Sequence, residues 1–156
     1  MKRRMPMFLR MLWAMPCSFV GLLLGAGFLA LGGNVRRIDR TLEIALRDRQ
    51  CDVPDWASRL PFLAITFGHV IVGHSHETLA RLRRHERVHV RQYERLGAWF
   101  FVAYPWSSLV AWRRGKCPYR GNRFEQEAFA EGGLDTCVSK AQGAVGVAIR
   151  RTGKGH

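Results

Sequence analysis

Apolar positions fall into four patterns along this 156-residue chain, and each predicts a different element. Leu12 to Leu31 carries no charge, and at 1.5 Å per residue it makes a helix of about 30 Å, the thickness of a bilayer's hydrocarbon core. From Val35 to Leu46 the pattern alternates, with Ile38, Leu42, Ile44 and Leu46 on one side and Asp39, Thr41 and Glu43 on the other. That period predicts a strand half exposed to water. Phe62 to Gly73 is rich in β-branched and aromatic residues and predicts a second strand. Then Leu79, Leu82, His85, His89, Gln92, Tyr93 and Leu96 recur at spacings of three and four, one stripe of a helix. Ser75 and Glu77 suit its first turn, and Gly97 suits its end.

Beyond Gly97, Ala98 to Trp112 is uncharged, holds three tryptophans and is broken by Pro105. It suits a membrane-interface or re-entrant segment, or equally a core helix kinked at the proline. Arg113 to Gly121 is a basic loop, and Asn122 can cap a last helix running from Arg123 to about Ser139. The expected organisation is a basic N-terminus (1–11), a transmembrane helix (12–31), one α+β domain (35–141) and a basic flexible tail (142–156).

Charge sharpens the membrane reading. Lys and Arg number 25 against 12 Asp and Glu, a net charge of +13, which favours anionic membrane surfaces, nucleic acid or acidic partners. No nucleic-acid-binding motif accompanies the charge, so membrane lipid is the expected partner and nucleic acid is not. A basic start followed by an apolar run also describes a cleaved signal peptide. The uncharged run is long for one, which favours a retained single-pass anchor, as in a bacterial cytoplasmic membrane. Basic residues flank both ends, so the orientation stays open. Cys17, Cys51, Cys117 and Cys137 form no C-x-x-C pair and are expected as buried free thiols.

Candidate chemistry sits within the helical stripe. His85, Glu86 and His89 spell H-E-x-x-H, and residues four apart on a helix share a face, so both imidazoles can reach one tetrahedral ion. Glu86, beside the first ligand, is then placed as a general base for water. A third histidine six residues on is absent, because Arg95 holds that position. A carboxylate has to complete the set, and Glu125 and Glu127 on the last helix are the candidates. His69, His74 and His76 read as turn or surface residues outside the site.

With Glu125-Gln126-Glu127-Ala128-Phe129 following H-E-x-x-H, the chain resembles the gluzincin metallopeptidases. Within them it resembles most the membrane-bound group of the heat-shock peptidase and the prenyl-protein endopeptidase. The similarity covers Ala64 to His89 and Asn122 to Ala130. It implies a zincin-like minidomain, Zn²⁺ held by His85, His89 and Glu125, Glu86 as the catalytic base, and a peptide or protein substrate lying along the strand before the helix. Phe129 departs from it, standing where the family has an aspartate that orients a ligand histidine. Glu127, Asn122 or a backbone carbonyl then has to supply that acceptor. Tyr93, Tyr104 and Tyr119 are candidate oxyanion donors. Two other functions fit the same residues: a membrane protein with a structural or regulatory zinc, and a basic membrane-surface adaptor without metal.

Overall fold

Two short hairpins build the sheet. The computed structural model describes residues 6–132, and the tail expected at 142–156 lies outside them. β1 (Asn34–Ile38) and β2 (Thr41–Arg47) pair antiparallel with Val35 opposite Ile44, joined through Asp39 at φ 53°. β3 (Ala64–Phe67) and β4 (Val70–Ser75) pair antiparallel with Ile65 opposite Val72, joined through Gly68 at φ 59°. Each run read as one strand is therefore a hairpin. β2 and β4 lie parallel side by side, which gives a four-stranded mixed sheet in the order β1-β2-β4-β3.

A helix covers each face of the sheet. Ile44, Leu46, Val70 and Val72 point to one side and pack with Phe28 of α1 (Met7–Ala30) and Ala57 of the short α2 (Asp55–Ser58). Ala45 and Ile71 point to the other side and pack with Leu79 and Val90 of α3 (His76–Leu96). The architecture is α+β, as the pattern predicts. α1 begins five residues before the uncharged run and packs on the fold itself: Ala14, Cys17, Gly21, Gly25 and Phe28 are buried at spacings of three and four. Glycine is required there, since a Cβ on Gly21 would lie 2.8 Å from Val70 Cβ and 2.9 Å from Phe67 Cβ.

α3 is held at its start by Ser75, whose side chain accepts from the Thr78 N–H at 3.1 Å, and it ends at Gly97 with φ 56°. A buried carboxylate, Glu43 of β2, takes a two-pronged hydrogen bond from Arg83, Nε at 2.7 Å and Nη2 at 3.0 Å. That bond sets the rotation of α3 over the sheet and turns His85, Glu86 and His89 towards β3. After a 3₁₀ turn at Gly97–Trp99, α4 (Phe100–Arg113) carries Pro105 within it, and α5 (Arg123–Gly132) returns across α3. Of the cysteines, Cys17 is buried as expected, whereas Cys51 and Cys117 are exposed, and all three are free thiols. Both exposed thiols lie in connections that carry little core: the turn after β2 and the basic loop after α4.

Candidate metal centre

Three side chains from two helices converge. His85 and His89, one turn apart on α3, face each other with Nε2 atoms 3.2 Å apart. Glu125 of α5 places Oε2 3.3 Å from His85 Nε2 and Oε1 3.3 Å from His89 Nε2. All three residues are buried, and their ligating atoms lie within 4.8 Å of one another. The structure thus brings together His85, His89 and Glu125 and leaves Glu127 outside the cluster.

Small residues make the approach possible. Ala128 is fully buried on α5, and a Cβ on Gly132 would stand 2.9 Å from the His85 Cα, so the two helices close to backbone contact there. Asn122 starts α5, its Oδ1 accepting from the Phe124 N–H at 2.9 Å, while its Nδ2 donates to the Tyr104 carbonyl and to Ser108. This junction fixes α5 against α4 and so aims Glu125.

The surroundings suit a cation. A tetrahedron with bonds of about 2.05 Å has edges of about 3.3 Å, close to the 3.2 Å between the two imidazole nitrogens and the 3.3 Å from each to its nearer Glu125 oxygen. Glu125 Oε2 is buried with no aligned hydrogen bond, so its lone pairs are left for another partner. Burial would raise the Glu125 carboxyl, yet the close approach of the His85 and His89 rings and the hydrogen bond from Tyr104 hold it far below the usual carboxylate range. Burial would lower His89, yet the Glu125 hydrogen bond and the charges of Glu86 and Glu125 raise it above the usual imidazole value. Without metal, a proton on His89 balances Glu125; a cation can take its place.

The orientation of His89 follows from an interaction the sequence reading missed. Gln92 is fully buried, and its Nε2 donates to the Phe124 carbonyl at 3.0 Å and to Glu127 Oε2 at 2.9 Å. Both partners only accept, so the amide Oε1 is the atom that stands 2.8 Å from His89 Nδ1. Nδ1 carries a hydrogen in either protonation state, and Nε2 faces the centre, bearing the second proton without metal and a lone pair once a cation replaces it. Glu127 reaches His89 only through this amide and is anchored from outside by Arg95 at 2.6 Å. Among the described residues His85 has no such partner: its Nδ1 is buried without a hydrogen bond, and the Phe129 ring packs against it with centroids 4.8 Å apart. Gln92 lies on the inward stripe three residues from His89, and that spacing was the available signal.

Glu86 is buried beside the cluster, and Thr66 of β3 donates to its Oε2 at 2.6 Å. Tyr104 donates to Glu125 Oε1 at 2.7 Å, and Tyr119 also hydrogen-bonds Glu125. Burial, and then the negative charge of Glu125, push both phenols well above their ordinary range, so both stay protonated. A cleft of about 340 Å³ opens over these groups, walled by Phe62, Ile65, Phe67, Phe101 and Pro105.

No protein-family model, curated protein or solved structure matches the chain. The geometry alone therefore supports a possible metal site on an α+β fold with one N-terminal apolar helix.

Proposed function

We propose that this protein is a membrane-tethered, zinc-dependent peptidase of the zincin type. The observation that carries the reading is the triangle of His85, His89 and Glu125 donors, with Glu86 next in sequence to the first and lining the same cleft. A two-histidine, one-carboxylate set with an open side suits zinc at a catalytic site. When bound, zinc acidifies water towards a pKa of about 7 and polarises a carbonyl oxygen.

The chain's own groups supply the rest. Glu86, fixed in rotation by Thr66, takes a proton from the attacking water and returns it to the leaving amine. Tyr104 and Tyr119, protonated at the rim of the cluster, are donors for charge developing on the scissile carbonyl. β3 is an edge strand of the sheet and lines the cleft, so its free edge can pair with an extended substrate backbone. The aromatic walls then take bulky apolar side chains and exclude water.

A second reading, metal held without turnover, is favoured by Phe129, which leaves the His85 Nδ1 without an acceptor. One comparison separates the two. Purified full-length protein should carry stoichiometric zinc by elemental analysis and cleave apolar peptides. Glu86→Gln should keep the zinc and lose cleavage, while His85→Ala or His89→Ala should lose both. Cleavage by Glu86→Gln at the wild-type rate overturns the proposal, and zinc without cleavage in the wild type establishes the second reading.

A further inference from the structure

α1 has two unlike faces. One is buried on the sheet; the other carries exposed apolar side chains along the whole helix, with Phe8 74 %, Phe19 61 % and Leu23 61 % accessible. α4 adds a stripe of its own, since Trp99, Val102, Trp106 and Leu109 recur at spacings of three and four and are all exposed. The stripes meet, because the Trp13 indole lies over Gly97 at the turn that leads into α4. From Gly97 to Gly121 there is no acidic residue, and Arg113, Arg114 and Lys116 follow the last tryptophan, all exposed. Tryptophan with basic residues at its border is the composition that settles at the headgroup level of an anionic bilayer.

The docking of α1 decides its tilt. Ser18 accepts from the His69 N–H at the start of β4, while Gly33 abuts the Ala45 carbonyl near the end of β2. The helix therefore runs along the strands of the sheet. A docked α1 that crossed the bilayer would carry β1 into hydrocarbon with it, and β1 is an open sheet edge with Arg36 and Arg37 exposed. Open edges and exposed charges are not sustained there.

We infer that the outer face of α1 and the tryptophan stripe of α4 form one surface seated in the headgroup region of an anionic bilayer, with α1 lying in the membrane plane. The cleft opens at the border of this surface: Phe67 packs against α1 at Gly21, Phe101 belongs to α4, and their rings, 6.0 Å apart, are both cleft walls. Resting on the hydrolytic reading above, the substrate is then a peptide segment that lies on the membrane surface with bulky apolar side chains.

Depth measurement tests the surface without catalysis. Full-length protein in phosphatidylcholine–phosphatidylglycerol vesicles should lose tryptophan fluorescence to lipids labelled near the headgroup far more than to lipids labelled at the chain end. Phe19→Trp, at the middle of α1, should add a signal of the same shallow depth. A Phe19→Trp signal quenched best from the bilayer centre shows that α1 spans and overturns the inference. So does wild-type fluorescence that no lipid label reaches, the result expected if a second copy of the chain covers this face. For the substrate, an N-myristoylated peptide with a Phe–Leu bond should show a KM at least about tenfold below that of the unacylated peptide in the same vesicles. Equal KM values overturn the substrate assignment. Shallow quenching with neither peptide cleaved overturns the hydrolytic reading and upholds the surface.

Discussion

Gln92 Oε1 stands 2.8 Å from His89 Nδ1, and the remainder of that amide is committed to acceptors on α5. One residue therefore sets the tautomer of a candidate ligand and also ties the two ligand-bearing helices together. Gln92→Leu should weaken zinc binding about 10–100-fold in a chelator competition, the range for an outer partner of a metal-bound histidine. It should also lower stability by about 1–3 kcal/mol, because the Phe124 carbonyl loses its buried donor.

Glu125 and Glu127 are two residues apart on α5 and so point to different sides of it. Glu125→Gln should remove most zinc affinity, since it takes the carboxylate from the His85–His89–Glu125 cluster. Glu127→Gln acts through Gln92 and should cost no more than about 10–100-fold. Isothermal titration of the two variants with zinc gives the order, and a larger loss in Glu127→Gln would contradict the ligand assignment.

Much of this was legible in the residues, and what was not has a physical cause. The 3.6-residue period, the Ser75 cap and the Gly97 stop define α3 because each reflects a local requirement of a helix. The first hairpin breaks the alternation that Val35 to Leu46 was read by: its two-residue turn, Asp39-Arg40, shifts the phase by one, so Ile38 stands opposite Thr41 and shares the face of Thr41 and Glu43 rather than that of Leu42, Ile44 and Leu46. Gly68 was the one turn signal within the second run. The glycines of α1 fit a membrane helix equally well, and only the sheet beneath Gly21 and Gly25 shows that they are packing residues. Thr66 reaches the site through a tertiary contact, which no spacing of apolar residues encodes, whereas Gln92 stood on the helical stripe without its bond to His89 being read.

Those glycines give a prediction whose sign depends on position. Alanine in a helix is favoured over glycine by about 0.8–1.0 kcal/mol. At Gly27 a Cβ would meet nothing within 4 Å, so Gly27→Ala should raise the melting temperature. At Gly21 the added carbon meets Val70 and Phe67 side chains under 3.0 Å and the Phe67 carbonyl at 3.2 Å. Gly21→Ala should lower it, overpacking costing about 1–3 kcal/mol. Thermal unfolding of both proteins in the same detergent decides it.

Acid sensitivity should trace to histidines outside the metal cluster. His74 and His76, read from the sequence as turn or surface residues, are buried with no hydrogen-bond partner on either ring nitrogen among the described residues, and desolvation lowers both below their ordinary value of 6.5. A lowered imidazole binds its proton more readily in the unfolded chain. The stability it contributes is therefore complete above pH 6.5 and is lost as pH falls from there towards the folded-state value. Each histidine can account for at most about 1.4 kcal/mol per pH unit. Denaturant midpoints measured across this window should fall more steeply for the wild type than for His74→Leu; parallel slopes would assign the loss elsewhere.

The seat of α1 on the sheet also orders the protein's assembly in time. α1 precedes in sequence the elements it packs against, and its partners Val70, Tyr93 and Phe124 lie far along the chain. Contacts of such separation form late and slowly, so the newly made helix passes through a period with both of its faces bare. A nearby bilayer can capture it during that interval. Where a bilayer does so, the rest of the chain folds onto a helix already held at its surface, and location precedes fold.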